Sequence, residues 1–260
     1  MCVQPLKELQ YGKLIVKVYR NDVELGLAAA KAAAELIGTV LEKKEPANLL
    51  FSTGASQFKF MDGLKEQTIP WHRIIGFHLD EYVDISQNHP ASFRLWLKTR
   101  VEEVFKPKAF NYIEGDAADI EAECKRYADL IVANPIDVGF IGIGENGHVA
   151  FNDPPVADFN DPFMVKVIEP DEACRKQQVG EGWFPNIDAV PKQAITLTVP
   201  AIMRCRHIIS VVPDGRKADA VKHALEGPIT TDYPASILQT HPHAVLFLDE
   251  DSAGKLSALP

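Results

Sequence analysis

The sequence predicts one α/β domain built on a mostly parallel β-sheet with helices on both faces. Short apolar runs rich in β-branched residues alternate with segments whose apolar residues recur every three or four positions. No Gly/Ser-rich linker or block of like charge interrupts this alternation, so residues 1–260 are assigned to a single domain. With 260 residues, of which 46% are hydrophobic, the chain is long enough to bury a sizeable core.

The first half of the chain carries three predicted strands, at 14–19, 49–51 and 74–79. Asn21 and Asp22 follow the first strand and can cap a helix. The face of this helix that we expect to be buried carries Val23, Leu27, Ala30, Ala34, Ile37 and Leu41. The second strand leads into another helical segment that runs through Leu64.

The second half continues the alternation. An amphipathic helix is predicted from 120 to 131, and Pro135 ends it. The remaining predicted strands lie at 136–141, 164–168, 194–199, 207–212 and 244–248. A last helix carries Ala218, Val221 and Leu225 and stops at Gly227. The segment 174–184 fits neither pattern, so it is a mobile flap or a structural loop.

Charge and composition exclude several classes of protein. A formal net charge of −9 argues against nonspecific nucleic-acid binding, although an anionic small ligand still fits a locally basic pocket. No basic segment precedes a long apolar run, and no run reaches membrane length, so we predict a cytoplasmic protein without a membrane partner. The four scattered cysteines lack metal or redox spacing and are predicted to be reduced thiols: Cys2, Cys124, Cys174 and Cys205.

A glycine-rich stretch, Gly142 to Pro154, follows the strand at 136–141. Its glycines match G-x-G-x-x-G, but the dinucleotide fingerprint requires a helix directly after them. Pro154 and Pro155 arrive too early for that helix, so a nicotinamide cofactor is not predicted. His148 and Asp153 in the same stretch indicate acid-base chemistry.

Four loops each follow a predicted strand: 53–56, 80–81, 142–153 and 216–217. In one parallel sheet they would lie along the same edge, and a capped helix start at 89–93 is expected to fold back over it. The hydroxyl-rich first loop fits an oxyanion site or an ordinary helix cap equally well. The cations of the last loop fit a bound anion or solvated surface charge. Together the loops predict a pocket with oxyanion donors, a cation and acid-base groups.

Five motifs in this order resemble the glucosamine-6-phosphate deaminase family: Ser-Thr-Gly-Ala-Ser at 52–56, Leu-Asp-Glu-Tyr-Val at 79–83, His-Pro-Ala-Ser-Phe at 89–93, Gly-Ile-Gly-Glu-Asn-Gly-His-Val-Ala-Phe-Asn-Asp-Pro at 142–154 and Ala-Ile-Thr-Leu-Thr at 194–198. The resemblance runs from the first predicted strand to the last. It implies a Rossmann-like fold and isomerase and hydrolase chemistry that converts glucosamine 6-phosphate and water to fructose 6-phosphate and ammonia. It implies no cofactor and no metal.

The resemblance also implies catalytic roles. Asp80 matches the acid that moves a proton between C2 and C1, and His148 matches the imidazole that opens the sugar ring. Asp153 takes the place of a glutamate that supports this imidazole; being one methylene shorter, it is expected to reach His148 through a water. Asn146 stands where many members have aspartate, so His148 is expected to lack a charged orienting partner there.

Substrate-binding roles are implied in the same way. Lys217 and one loop match positions that hold the phosphate group, and that loop consists of Thr53, Gly54, Ala55 and Ser56. Gly144 is a further substrate-binding position. The family usually has a second phosphate-binding arginine near 174–184, where this chain offers Arg175 and Lys176. The implied partner is a small phosphorylated amino sugar of unspecified epimer, and a homo-oligomer is compatible with the sequence.

Three alternatives remain open. A 6-phosphogluconolactonase has a similar fold and glycine loop but usually an arginine after its Asp-Glu pair, where this chain has Tyr82; Phe151 to Pro154 also favours the deaminase. A noncatalytic sugar-phosphate sensor would need a DNA-binding module, for which the residues before the first strand are too few. A metal site formed by His148, Asp153 and Asp80 is conceivable from their ligand types.

Overall fold

The computed structural model describes residues 3–258, which form a large sheet and a small antiparallel sheet. The strands of the large sheet are β1 (Lys7–Tyr11), β2 (Leu14–Tyr19), β3 (Ala47–Phe51), β4 (Ile74–His78), β6 (Ala109–Asn111), β7 (Val138–Ile141), β10 (His207–Val212) and β11 (Ala244–Asp249). The small sheet consists of β5 (Asp80–Tyr82), β9 (Ala194–Leu197) and β8 (Val165–Ile168).

The large sheet has the strand order β1-β2-β11-β10-β7-β3-β4-β6. Only β1 and β2 pair antiparallel; the other neighbours are parallel, which confirms the predicted architecture. All eight strands predicted from the sequence are present. The sequence analysis did not predict the edge strand β1, which exposes every second residue, or the three-residue strands β5 and β6.

Helices cover both faces of this sheet, as predicted. They are α1 (Asp22–Leu41), α2 (Phe58–Lys65), α3 (Phe93–Leu97), α4 (Glu103–Phe105), α5 (Ile120–Ala133), α6 (Glu172–Gly180), α7 (Val199–Met203), α8 (Ala218–Glu226) and α9 (Glu250–Ala253). Because side chains alternate along a strand, Leu49 belongs to the core that includes α1 and α2, while Leu50 belongs to the core that includes α5 and α8. Within residues 3–258, no helix combines the length and the apolar character that a membrane span requires.

The buried face of α1 differs from the predicted one. Its buried residues are Leu25, Gly26, Ala29, Ala30, Ala33, Ile37, Val40 and Leu41, whereas Val23 is 46% exposed. The reason is a close crossing with α2, since a Cβ on Gly26 would lie 2.5 Å from the Lys59 carbonyl oxygen. Small residues therefore turn toward α2, and the bulkier Val23 faces solvent.

Helix α6 occupies part of the segment to which the sequence analysis assigned no structure. Asp171 caps it by accepting a hydrogen bond from the Cys174 amide. Only Cys174 and Gln178 are buried in this helix, so its sequence shows no apolar stripe. Helix α6 is thus a polar helix positioned by its cap and its tertiary contacts.

Candidate active site

A cavity of about 400 Å³ opens at the carboxyl edge of the large sheet. It lies over four adjacent strands, β10, β7, β3 and β4, and all four loops predicted to converge contribute to its lining. This is the location at which open parallel sheets bind ligands.

The loop after β3 supplies backbone donors. Gly54 adopts a φ of +97°, a conformation that favours glycine, and leads into a 3₁₀ turn at Ala55–Gln57 that continues into α2. Amides in the first turn of a helix have no intrahelical acceptor and attract anions. Thr53, Gly54, Ala55 and Ser56 all line the cavity, as predicted for a phosphate site.

The loop after β10 supplies the cations. Lys217 is 5% exposed, and its ammonium forms no hydrogen bond or ion pair with another side chain in the described part of the chain. Burial lowers its pKa. Arg216 also lines the cavity, but its guanidinium contacts Asp214 Oδ2 at 2.8 Å and lies 3.4 Å from Glu145. Lys217 is therefore the buried cation that is free to receive an anion.

Asp80 lies on β5 at the opposite wall and is 7% exposed. Its carboxylate accepts no hydrogen bond from residues 3–258. Burial, followed by repulsion from Glu81, raises the pKa of Asp80 well above its ordinary value. A buried carboxylate without donors is a stronger base than an exposed one, which suits abstraction of a proton from carbon.

Glu81 faces away from the cavity and organises the wall behind Asp80. It accepts hydrogen bonds from the Ser92 hydroxyl (2.9 Å) and from the amides of Phe93 (3.1 Å) and Arg94 (2.8 Å). Burial raises the pKa of Glu81 to about 7, and these hydrogen bonds oppose that rise. The carboxylate thus fastens the start of α3 to β5, and Phe93 comes to line the cavity, as the expected folding back of 89–93 requires.

His148 and Asp153 form a directly contacting pair. His148 Nδ1 lies 2.9 Å from Asp153 Oδ1, and Asp153 is fully buried. Burial opposes ionisation of Asp153, but contacts with His148 and Asn146 lower its pKa. The expectation of a bridging water between the two side chains is therefore wrong. The loop bends sharply enough to compensate for the missing methylene of aspartate.

Asn146 holds both members of this pair. Its Oδ1 accepts from the His148 amide at 3.1 Å, and its Nδ2 donates to Asp153 Oδ1 at 3.0 Å. Asn146 itself contributes no charge, as expected, and the charged partner of His148 is Asp153. Asn146 and Asp153 lie behind His148 and do not line the cavity.

Glycines allow the bend of this loop. A Cβ on Gly144 would lie 2.2 Å from the His148 ring, so only glycine lets the imidazole pack there. Gly147 has a φ of +84°, which favours glycine. Turns and one isolated bridge, between Val149 and Asn152, follow. Residues 148–164 contain no helix, in agreement with the predicted effect of Pro154. The helix that a dinucleotide site needs is missing from this position.

Helix α6 covers the cavity from the side of Asp153. The Asp171 amide donates to Asp153 Oδ2 at 3.0 Å, and Gln177 Oε1 accepts from the Glu145 amide at 3.1 Å. Four α6-side residues line the cavity: Cys174, Gln177, Gln178 and Glu181. The sequence analysis missed them because it recognised no helix here; the cap residue Asp171 was the available signal.

Arg175, which the resemblance placed at the phosphate, does not line the cavity. Its guanidinium donates to the carbonyl oxygens of Ile187 (2.6 Å) and Val190 (3.4 Å). Lys176 pairs with Glu172 on the surface. Neither Arg175 nor Lys176 faces the cavity, because helix α6 turns positions 174, 177 and 178 toward it. This corrects the placement of Arg175, and Arg216 is the second cation that the cavity offers.

A metal-ligand set exists, although it differs from the one considered from sequence. His148, Asp153 and Cys174 place ligand atoms within 4.8 Å of one another, and Asp80 is not among them. Both Asp153 oxygens are already engaged by His148, Asn146 and Asp171. Burial, followed by the nearby carboxylates, raises the pKa of the Cys174 thiol well above its usual range, whereas metal binding requires the thiolate. Within this set, Asp153 is held by hydrogen bonds from Asn146 and from the Asp171 amide.

Comparison with known proteins gives consistent results. A family model described as glucosamine-6-phosphate isomerases/6-phosphogluconolactonase matches residues 20–247. A protein of Streptococcus agalactiae named glucosamine-6-phosphate deaminase is 35% identical over 240 residues, which cover 91% of this chain and 97% of that protein. A protein of the same name from Oenococcus oeni is 35% identical over 207 residues, covering 79% and 85%.

Solved structures show the same fold. A monomeric glucosamine-6-phosphate deaminase superposes with a TM-score of 0.83 at 30% identity, covering 92% of this chain and 98% of that one. The 6-phosphogluconolactonase of Thermotoga maritima gives a TM-score of 0.72 at 18% identity, covering 91% and 99%.

Proposed function

The chain belongs to the family of glucosamine-6-phosphate isomerases and 6-phosphogluconolactonases, and within it we propose that the protein is a glucosamine-6-phosphate deaminase. It converts glucosamine 6-phosphate and water to fructose 6-phosphate and ammonia. One observation carries the proposal: a single cavity is lined by Asp80, by His148 with its supporting acid, and by Lys217. Among residues 3–258, Asp80 has no hydrogen-bond donor and Lys217 has no ion-pair partner.

The phosphate group binds where donors for an anion lie together. The amides of 54–56 and the Lys217 ammonium provide them, because these residues line the cavity and no side chain in the described range 3–258 binds these groups. An arriving phosphate also competes with Asp214 and Glu145 for Arg216. Binding the phosphate holds the sugar between the two reactive groups, His148 and Asp80. The cations that bind the phosphate take no part in the chemical steps.

His148 opens the pyranose ring. Breaking the C1–O5 bond requires a proton on O5 and loss of the proton on the C1 hydroxyl, which leaves a C1 aldehyde. Asp153, 2.9 Å from Nδ1, stabilises the imidazolium form and fixes the ring so that Nε2 is the exchanging nitrogen. Asn146 holds both side chains in that orientation.

Asp80 then moves a proton along the carbon chain. Its carboxylate removes the C2 proton to give an enolamine and returns that proton to C1, which leaves an imine at C2. Water adds to this imine, and ammonia departs as the C2 ketone forms. Burial raises the pKa of Asp80, which strengthens its carboxylate as a base for this transfer.

The experiment that tests this function assays phosphorylated hexosamines and 6-phosphogluconolactone in parallel for ammonia and acid release. We expect ammonia from glucosamine 6-phosphate and no acid from the lactone. Acid release alone would establish the lactonase. A protein that binds the phosphosugar but never exchanges solvent hydrogen at C2 would be a sensor.

The same panel, run with the C2 and C4 epimers, identifies the preferred hexosamine.

We also propose a cytoplasmic location, which is supported by the free thiols of Cys124, Cys174 and Cys205; Cys2 lies outside the described residues. The proposal needs only the phosphosugar and water as partners of the chain. A homo-oligomer is compatible with it, because every proposed catalytic residue comes from one chain.

A further inference from the structure

We propose that Ser52 is a specificity-determining residue whose hydroxyl binds a sugar hydroxyl between the phosphate group and the reacting carbons. This rests on the proposed function, because it assumes that a phosphosugar fills the cavity. Ser52 precedes the loop expected to bind phosphate and was not singled out from the sequence as a site residue.

The first argument is an unsatisfied hydroxyl. Ser52 lines the cavity and is 6% exposed, yet its Oγ has no hydrogen-bond partner among residues 3–258. Buried hydroxyls normally find a partner, because leaving one unpaired costs free energy. In the same loop, Ser56 Oγ differs from Ser52 Oγ because it accepts a hydrogen bond from Gln57 Nε2 at 3.0 Å. Among the buried hydroxyls that have no partner within residues 3–258, Ser52 is the one whose residue lines the cavity.

The second argument is position. The Ser52 amide donates to the Phe140 carbonyl at 3.0 Å, which places the residue at the point where β3 passes between β4 and β7. One neighbouring strand leads to Asp80 and the other to the loop of His148. The phosphate donors begin two residues later, at Gly54. Ser52 therefore lies on the floor of the cavity, between the phosphate end and the reactive end.

A matched control exists in the chain. Ser210, on β10, is also fully buried and also has an Oγ without a partner, but it does not line the cavity. Removing its hydroxyl tests what the loss of an unpaired buried hydroxyl does by itself. Any difference between Ser52→Ala and Ser210→Ala then reports the contact with the ligand.

The experiment measures kcat/KM for glucosamine 6-phosphate and for its 3-deoxy and 4-deoxy analogues. Ser52→Ala should lower kcat/KM for the natural substrate about tenfold, equivalent to about 1.4 kcal/mol. The ratio of the wild-type kcat/KM to the Ser52→Ala kcat/KM should fall toward one for the analogue that lacks the hydroxyl bound by Ser52. Inhibition by inorganic phosphate should be unchanged, and Ser210→Ala should match wild type throughout.

Full activity of Ser52→Ala, or a loss that is equal for every deoxy analogue, would overturn the inference. Binding of the open-chain amino-alditol 6-phosphate, which cannot isomerise, is measured by calorimetry in the same variants. If wild type releases no ammonia, the proposed function fails. The calorimetric comparison of Ser52→Ala with Ser210→Ala then decides the role of Ser52 by itself.

Discussion

The contact between Asp153 and His148 gives the most informative test of the mechanism. Asp153→Asn preserves the shape of the side chain but removes its charge, and the amide at 153 can no longer stabilise a positive imidazole 2.9 Å away. Ring opening is the step that uses this imidazole. The substitution should therefore slow ring opening and leave the later proton transfer by Asp80 intact.

The size of the effect follows from the geometry. Unit charges 2.9 Å apart attract by about 6 kcal/mol at an effective dielectric constant of about 20. Most of that attraction offsets desolvation of the two groups, so the net contribution of the contact is about 1.5–3 kcal/mol, the range for polar contacts with a charged group. At about 1.4 kcal/mol per factor of ten, kcat for the cyclic substrate should fall about 10- to 150-fold.

The assay compares glucosamine 6-phosphate with its 5-deoxy analogue, which has no O5 and cannot form the pyranose ring. Asp153→Asn should retain activity on the analogue, and combining it with His148→Gln should add little further loss on the natural substrate. Asp137→Asn is the control, because Asp137 is buried and paired with Lys44 at 2.8 Å. Equal losses on both substrates would refute the assignment of ring opening to this pair.

Three further variants test the other groups. Asp80→Asn should abolish exchange of solvent hydrogen at C2 while phosphosugar binding persists; persisting exchange would remove Asp80 from its role. The pKa of Asp80 in the folded protein is raised above its unfolded value of 3.8, so the wild-type protein loses folding stability as pH rises from the unfolded pKa toward the folded one. Asp80→Asn should therefore have a higher melting temperature than wild type at neutral pH and the same melting temperature at acidic pH. Lys217→Ala should weaken binding of inorganic phosphate and phosphosugars about 10-fold, the loss expected for a charge-assisted hydrogen bond, and an unchanged affinity would contradict the phosphate site. Arg175→Ala should lower the melting temperature and leave KM unchanged, because its guanidinium binds the backbone at 187 and 190; a raised KM would restore the binding role expected from sequence.

The sequence was sufficient to locate the cavity. Buried parallel strands have continuous apolar sequences, which identified the strands. Because parallel strands end at the same edge of a sheet, the polar segments that follow four of them were expected to lie together at that edge. Pro154 was equally informative, because a proline lacks an amide hydrogen and blocks the turn before it, which leaves no room for a phosphate-binding helix directly after Gly147. Features of this kind depend on local chemistry, which a sequence displays directly.

The contacts inside the cavity depend on geometry that no local pattern carries. The direct contact between Asp153 and His148 results from a tight bend, held by the side chain of Asn152, whose Nδ2 donates to the carbonyls of Val149 and Leu197 at 2.9 Å each. Leu197 is distant in sequence, so side-chain length alone gave the wrong distance for Asp153. Helix α6 was missed for a related reason, since its polar surface contacts the glycine loop instead of an apolar core.

Asp80 and Glu81 show how one strand gives two identical functional groups different chemistry. Neighbouring residues on β5 point to opposite faces, so one carboxylate enters the cavity and the other enters the wall. Glu81 accepts hydrogen bonds from donors at the start of α3, so its carboxylate has a structural role. Asp80 has no such donors, and the charge of Glu81 strengthens it further as a base. The surroundings of each acid, and not its residue type, therefore determine which of the two can carry a proton between carbon atoms.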